Sequence, residues 1–196
     1  MHEVRADYDD RTVTVYQAYS TAIATPAVAA GRFVEPFKRD RMTWIKPSFL
    51  WMMYRCSWAT AAGQERVLAV TITRDGFEWA LERASLSHYV RGLHSDRASW
   101  QRDLKRAPTR VQWDPERDLR LRALPYRSLQ LGLGGSAVPR YVDEWTVSIT
   151  DVTPLVRTIR DHLGAGDETA AAALLPAERP YPLPPETAAR LGAAAT

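Results

Sequence analysis

The sequence predicts an α+β domain with antiparallel or mixed sheets and flanking helices over residues 1–164. Three observations carry this. Two runs rich in β-branched and aromatic residues, TVTVYQAY at 12–19 and RVLAVTIT at 66–73, read as strands. Leu119 and Leu121, then Leu129, Leu131 and Leu133, alternate with polar residues or glycine, the pattern of half-buried antiparallel strands. Between these runs lie short stretches with helix starts and stops, and no repeat or linker divides the first 164 residues.

Taken in order, the strand at 12–19 leads into ATPAVAAGRF. There Thr25 is placed to cap a helix, Pro26 suits the first helical position because its missing N–H has no partner there, and Gly31 is placed to stop it. RMTWIKPSFLWMMYRCSW, 41–58, reads as strand, turn and helix, with MTWI extended and Pro47 or Ser48 starting the helix. Trp44, Trp51 and Trp58 recur every seven residues while Phe49, Met52, Met53 and Cys56 fill much of the remaining surface. A helix apolar nearly all round is buried on several sides. Lys46, Ser48, Tyr54 and Arg55 are its polar groups, free to face a cleft.

After the strand at 66–73, Asp75 and Glu78 form a capping-box-like start for GFEWALERAS. SWQRDLKRA reads as a basic helix, GLGG as a turn, SAVPRYV as a short helix and DEWTVSIT as a strand. DVTPLVRTIRDHLG has a Thr153 cap, Pro154 and a glycine stop. From Ala165 to 196 alanine and proline dominate, and a tail is expected, docked or mobile.

The chain is 45% hydrophobic and 25% charged, the composition of an ordinary globular protein. Its one cysteine, Cys56, excludes an intramolecular disulfide framework and reads as a small apolar residue in a reducing compartment. His88 and His94 have no acid or cysteine at metal-ligand spacing, so no metal site is expected. MHEVRADYDD is no signal peptide and no segment has the length of a membrane span, so a cytoplasmic protein without membrane partners is expected. The net charge is +3, yet Arg97 to Arg127 holds nine Lys/Arg against four Asp/Glu. Either this is a solvated face, or Arg102, Lys105, Arg106, Arg120 and Arg122 bind the phosphates of a nucleic acid.

The strings VRADYD, VYQAY, IKPSFLWMMYR and VQWDPERD resemble a bacterial family catalogued as domain of unknown function 4291, over most of residues 3–155. More distantly, the order of strand, small helix, tyrosine-bearing helix and later strands is similar to the layout of ADP-ribosyltransferase-like domains. That resemblance implies a split sheet and NAD as substrate. It also implies roles: Gln17 at the NAD ribose, Tyr54 at the nicotinamide and Glu144 as the carboxylate that supports an oxocarbenium-like state. The chain departs from the pattern in having Gln17 in place of His or Arg, no Ser-Thr-Ser, and VDEW without a Glu-x-Glu or Gln-x-Glu pair.

Bond cleavage of that kind needs a carboxylate beside developing positive charge, aromatic walls and a cation for the pyrophosphate. Glu144 beside Trp145, Tyr54 beside Trp51, and Arg5, Lys46 or Arg55 have the right chemistry, while Asp143 and Glu144 equally suit a solvated strand edge. Two function classes stand at this point. One is an NAD-dependent ADP-ribosyltransferase-like enzyme or glycohydrolase, acting on nucleic acid through the basic span. The other is a non-catalytic module that binds nucleic acid or another polyanion.

Overall fold

In the computed structural model, which describes residues 1–194, a two-residue strand β1 (Arg5–Ala6) precedes the long strand β2 (Thr12–Tyr19). Then follow α1 (Thr21–Ala30), β3 (Thr43–Ile45), α2 (Phe49–Cys56), β4 (Arg66–Thr73), α3 (Arg74–Glu82), β5 (Ala84–Leu86) and α4 (Arg97–Arg106). The second half holds β6 (Thr109–Arg117), β7 (Ala123–Leu133), α5 (Ala137–Arg140), a π-helical turn (Tyr141–Trp145), β8 (Thr146–Asp151) and α6 (Thr153–Gly164). It closes with α7 (Glu168–Ala173), β9 (Arg179–Pro180) and α8 (Pro185–Leu191). The fold is α+β. None of the helices among the described residues is long and apolar enough to cross a membrane.

Three small sheets result. Strands β2, β4 and β8 form one, antiparallel throughout, with β2 and β4 in register from Thr12 opposite Thr73 to Tyr19 opposite Arg66. Strands β3, β7, β6 and β5 form a mixed sheet in which β5 and β6 alone run parallel, and β1 pairs with β9.

Val13, Val15, Val70 and Ile72 meet Leu129, Leu131, Leu133 and Val111 in the main core, joined by Phe77 and Leu81 from α3. A second apolar cluster holds α2 and α6 over the other face of the β2 sheet, through Tyr16, Phe49, Met52, Met53, Val67, Val156 and Ile159. Gly76 lies flat against the Trp145 indole, where a Cβ would collide with the ring.

Several local expectations change. Helix α1 begins at Thr21, so Pro26 lies inside it and Thr25 does not cap it, although Gly31 does end it in the left-handed conformation at φ 64°. Helix α3 starts after Thr73, whose side chain accepts from Gly76 N at 3.2 Å; Asp75 is already helical. Asp118 to Arg122 is a turn rather than a strand, because the Asp118 carboxylate accepts from the backbone N–H of Arg120 and Arg122, both at 2.9 Å. Thr153 is the first residue of α6 and its hydroxyl accepts from Val67 N at 2.9 Å, tying the helix to β4. Residues 165–191 dock: Tyr181 and Leu191 enter the core, and Tyr181 N donates to Val4 O at 2.8 Å.

Phe49 begins α2 fully buried, with edge-on contacts to Tyr16 at 5.3 Å and Trp58 at 6.5 Å. Phe49→Ala is therefore expected to destabilise the fold by about 3–5 kcal/mol, measurable as a lowered denaturation midpoint with the slope unchanged.

Candidate ligand cleft between the two sheets

Besides their shared core, the β2 sheet and the β3 sheet are joined by one backbone bridge. Tyr16 N donates to Lys46 O at 2.7 Å and Lys46 N donates to Tyr16 O at 3.3 Å. Beyond it β2 stays with β4 while β3 stays with β7, so the sheets part.

Gln17, one residue further along β2 and 3% exposed, ties the junction together. Its amide nitrogen donates to Thr43 Oγ1 at 2.8 Å, Trp44 O at 3.0 Å and Tyr19 Oη at 2.9 Å, while its oxygen accepts from the buried Tyr141 hydroxyl at 2.7 Å. Burial raises both phenols, Tyr19 to about 12 and Tyr141 well above its ordinary value, so both remain hydroxyls that bridge the elements.

Where the sheets part lies a cleft of about 520 Å³. Its cations are Arg41, Lys46 and Arg55, its carboxamides Gln17, Gln64, Gln112 and Gln130, and no carboxylate is among its lining residues. Met52 and Trp44 supply apolar wall. A larger hollow of about 740 Å³ is lined by residues 32–40 alone, a single loop, and gathers nothing from either sheet.

Lys46 is 5% exposed. Its ammonium reaches Trp44 O at 3.5 Å and lies 5.1 Å from the centre of the Trp51 ring, with no ion pair among the described residues. Burial, and then Arg55 beside it, lower its pKa to about 7, against a smaller opposing pull from Asp114. A buried ammonium with no ion pair holds its proton weakly, and a nearby negative charge would favour the protonated form.

Of the residues singled out in the sequence, Gln17, Lys46 and Arg55 meet at this cleft. Tyr54 does not line it: its ring packs edge-on to Trp51 at 6.4 Å, and the Arg117 guanidinium covers it at 3.6 Å. Arg5 lies at β1, donating to Glu3 at 3.1 Å and to Glu178 O at 3.1 Å. Glu144 is in the π-helical turn rather than at a strand start; its side chain is 56% exposed and paired with Arg140 at 3.1 Å. Tyr54 and Glu144, expected to share one cleft with at least one of Gln17, Arg5 or Lys46, are not among its lining residues, which include Gln17 and Lys46 with Arg41, Arg55 and the glutamines.

The basic span divides as well. Arg102, Lys105 and Arg106 are on α4, before β6 begins, whereas Arg120 and Arg122 are in the turn where it ends, about 25–30 Å along the strand. Arg120 pairs with Glu168 and Arg122 with Asp118. These two charges are already engaged.

Gln112 and Gln130 escaped the sequence reading. They are register partners on β6 and β7, and with Asp114 they occupy the face opposite Val111, Leu129 and Leu131. The signal was the polar half of the alternation in VQWDPER and RSLQLGL, whose apolar half had marked the strands.

Gln17→Ala leaves the Tyr141 hydroxyl buried without its acceptor, and is expected to destabilise by about 2–4 kcal/mol. A double-mutant cycle with Tyr141→Phe checks this, the second substitution recovering part of the loss. No curated protein matches the chain. A family profile described as "Domain of unknown function (DUF4291)" matches residues 3–181, from the start of the β1 region through the buried Tyr181, and the chain belongs to that family.

Proposed function

We propose that this protein binds a phosphate-bearing nucleotide in the cleft between its two sheets, NAD being the ligand that an ADP-ribosyltransferase-like layout implies. The observation that carries the reading is Lys46: a buried ammonium with no carboxylate partner among the described residues, flanked by Arg41 and Arg55 on the same walls. Burying an unpaired cation is unfavourable, and a phosphate supplies both the missing charge and the missing acceptors. The cleft volume, about 520 Å³, lies in the range of nucleotide-sized sites.

The reading is one of binding rather than transfer. Cleavage of a glycosidic bond needs a carboxylate beside the developing positive charge, and the described walls hold cations and carboxamides instead. Glu144 pairs with Arg140 on the π-helical turn.

A second reading rests on α4, a helix with no buried residue, whose Arg102, Lys105 and Arg106 make no ion pair among the described residues. These suit the phosphates of a nucleic acid. Oligonucleotide titrations at several salt concentrations separate the two. If α4 is the interface, replacing Arg102 and Lys105 by Ala lowers the salt slope by about one per residue.

For the cleft, NAD is expected to raise the melting temperature, and Lys46→Met to abolish that shift while itself stabilising the unliganded protein by on the order of 2 kcal/mol. The pH dependence follows from the lowered pKa. The unfolded chain holds the lysine proton up to about 10.5 and the folded one only to about 7, so this group's stability contribution is present above 10.5 and is lost as pH falls to about 7. Anion binding runs the other way. It needs the ammonium, so affinity for NAD, whose phosphodiesters do not titrate here, is expected to weaken from pH 6 to 9 in calorimetric titrations.

A further inference from the structure

Asp114 does not line the cleft, yet both cleft glutamines of the β6–β7 pair donate to it. Gln112 Nε2 reaches Asp114 Oδ1 at 2.9 Å and Gln130 Nε2 reaches Asp114 Oδ2 at 2.8 Å. An amide turned end for end presents an oxygen in place of its nitrogen. A carboxylate only accepts, so turning either amide would set oxygen against oxygen, and the one Asp114 fixes the direction of both.

We propose that Asp114 is a positioning residue for the cleft. By holding the two amide nitrogens it leaves two carbonyl oxygens as the groups offered to the ligand beside Lys46. This rests on the anion-binding reading above and adds the ligand's second half. The cations take the phosphate, and the paired acceptors repel it and select a hydrogen-bond donor attached to it, a hydroxyl or an amide. Bare phosphate then satisfies only half of the cleft.

The test uses the full chain and a matched pair of ligands, glycerol 3-phosphate and n-propyl phosphate, which share a phosphate monoester and a three-carbon chain and differ in two hydroxyls. Calorimetric titration is expected to show glycerol 3-phosphate binding about tenfold more tightly, the worth of one or two neutral hydrogen bonds. Asp114→Asn presents one N–H₂ in place of a carboxylate oxygen, turns one glutamine, and should bring the ratio of the two affinities to within about twofold. Gln112→Leu and Gln130→Leu should each lower the same ratio. If the wild-type protein binds both phosphates through Lys46 but does not distinguish them, or if Asp114→Asn keeps the full ratio, the positioning role is overturned while the anion cleft stands. If neither ligand binds and Lys46→Met changes nothing, the anion cleft itself fails and this inference with it.

Discussion

The single backbone bridge between Tyr16 and Lys46 is the constraint from which the rest of this structure follows. A strand can pair with one neighbour on each side, and β2 gives one side wholly to β4. On the other side it meets the second sheet at one residue, and the sheets then separate. Where the apolar core between the sheets ends, the junction is polar: Gln17 spans from β2 to the backbone and hydroxyl of β3 and to Tyr141. The cleft lies beside that junction, with Gln17, Thr43, Trp44 and Lys46 among its lining residues.

Lys46 shows what the arrangement sacrifices. Its backbone is fixed by the bridge, and the period-two geometry of a strand turns its side chain to the face that carries Trp44, Gln112 and Gln130. An apolar residue there would suit the fold better, since the ammonium is desolvated and its hydrogen bond to Trp44 O is long, at 3.5 Å. A position where the fold's preference and the residue disagree is where function is to be sought. The same disagreement is absent at Glu144, whose exposed carboxylate and i,i+4 pairing with Arg140 satisfy ordinary helix-surface rules.

Much of the fold was legible because its signals are local. Both long strands stand where their β-branched runs placed them, and strand, turn and helix follow in order through 41–58, with Ser48 accepting from Trp51 N at 3.1 Å. Where reading failed, a tertiary or side-chain effect outvoted the local pattern. Asp118 turned the alternating DLRLR into a loop, the helix at 21–30 took Pro26 into its interior, and the chain at Glu144 entered a π-helical turn instead of a strand. Of the cleft, Gln17, Lys46 and Arg55 were legible as polar residues on otherwise apolar elements. Gln112 and Gln130 were not, because their meeting depends on the β6–β7 register, which no single segment encodes.

The C-terminal segment bears on the same cleft from a distance. Glu178, just before β9, accepts from Phe49 N at 2.6 Å, and Glu116 accepts from Ser48 Oγ at 2.9 Å, so two carboxyl groups secure the first turn of α2. Burial raises both, Glu178 to about 8 with the Glu116 charge adding to the rise, while Arg5 opposes it at each. Helix α2 carries Met52 and Arg55 into the cleft walls. The segment leading into β9 therefore fixes the start of the helix whose far end shapes the cleft. A stretch whose alanine and proline content reads as a tail is, through Glu178 and the buried Tyr181, part of what holds the cleft wall in place.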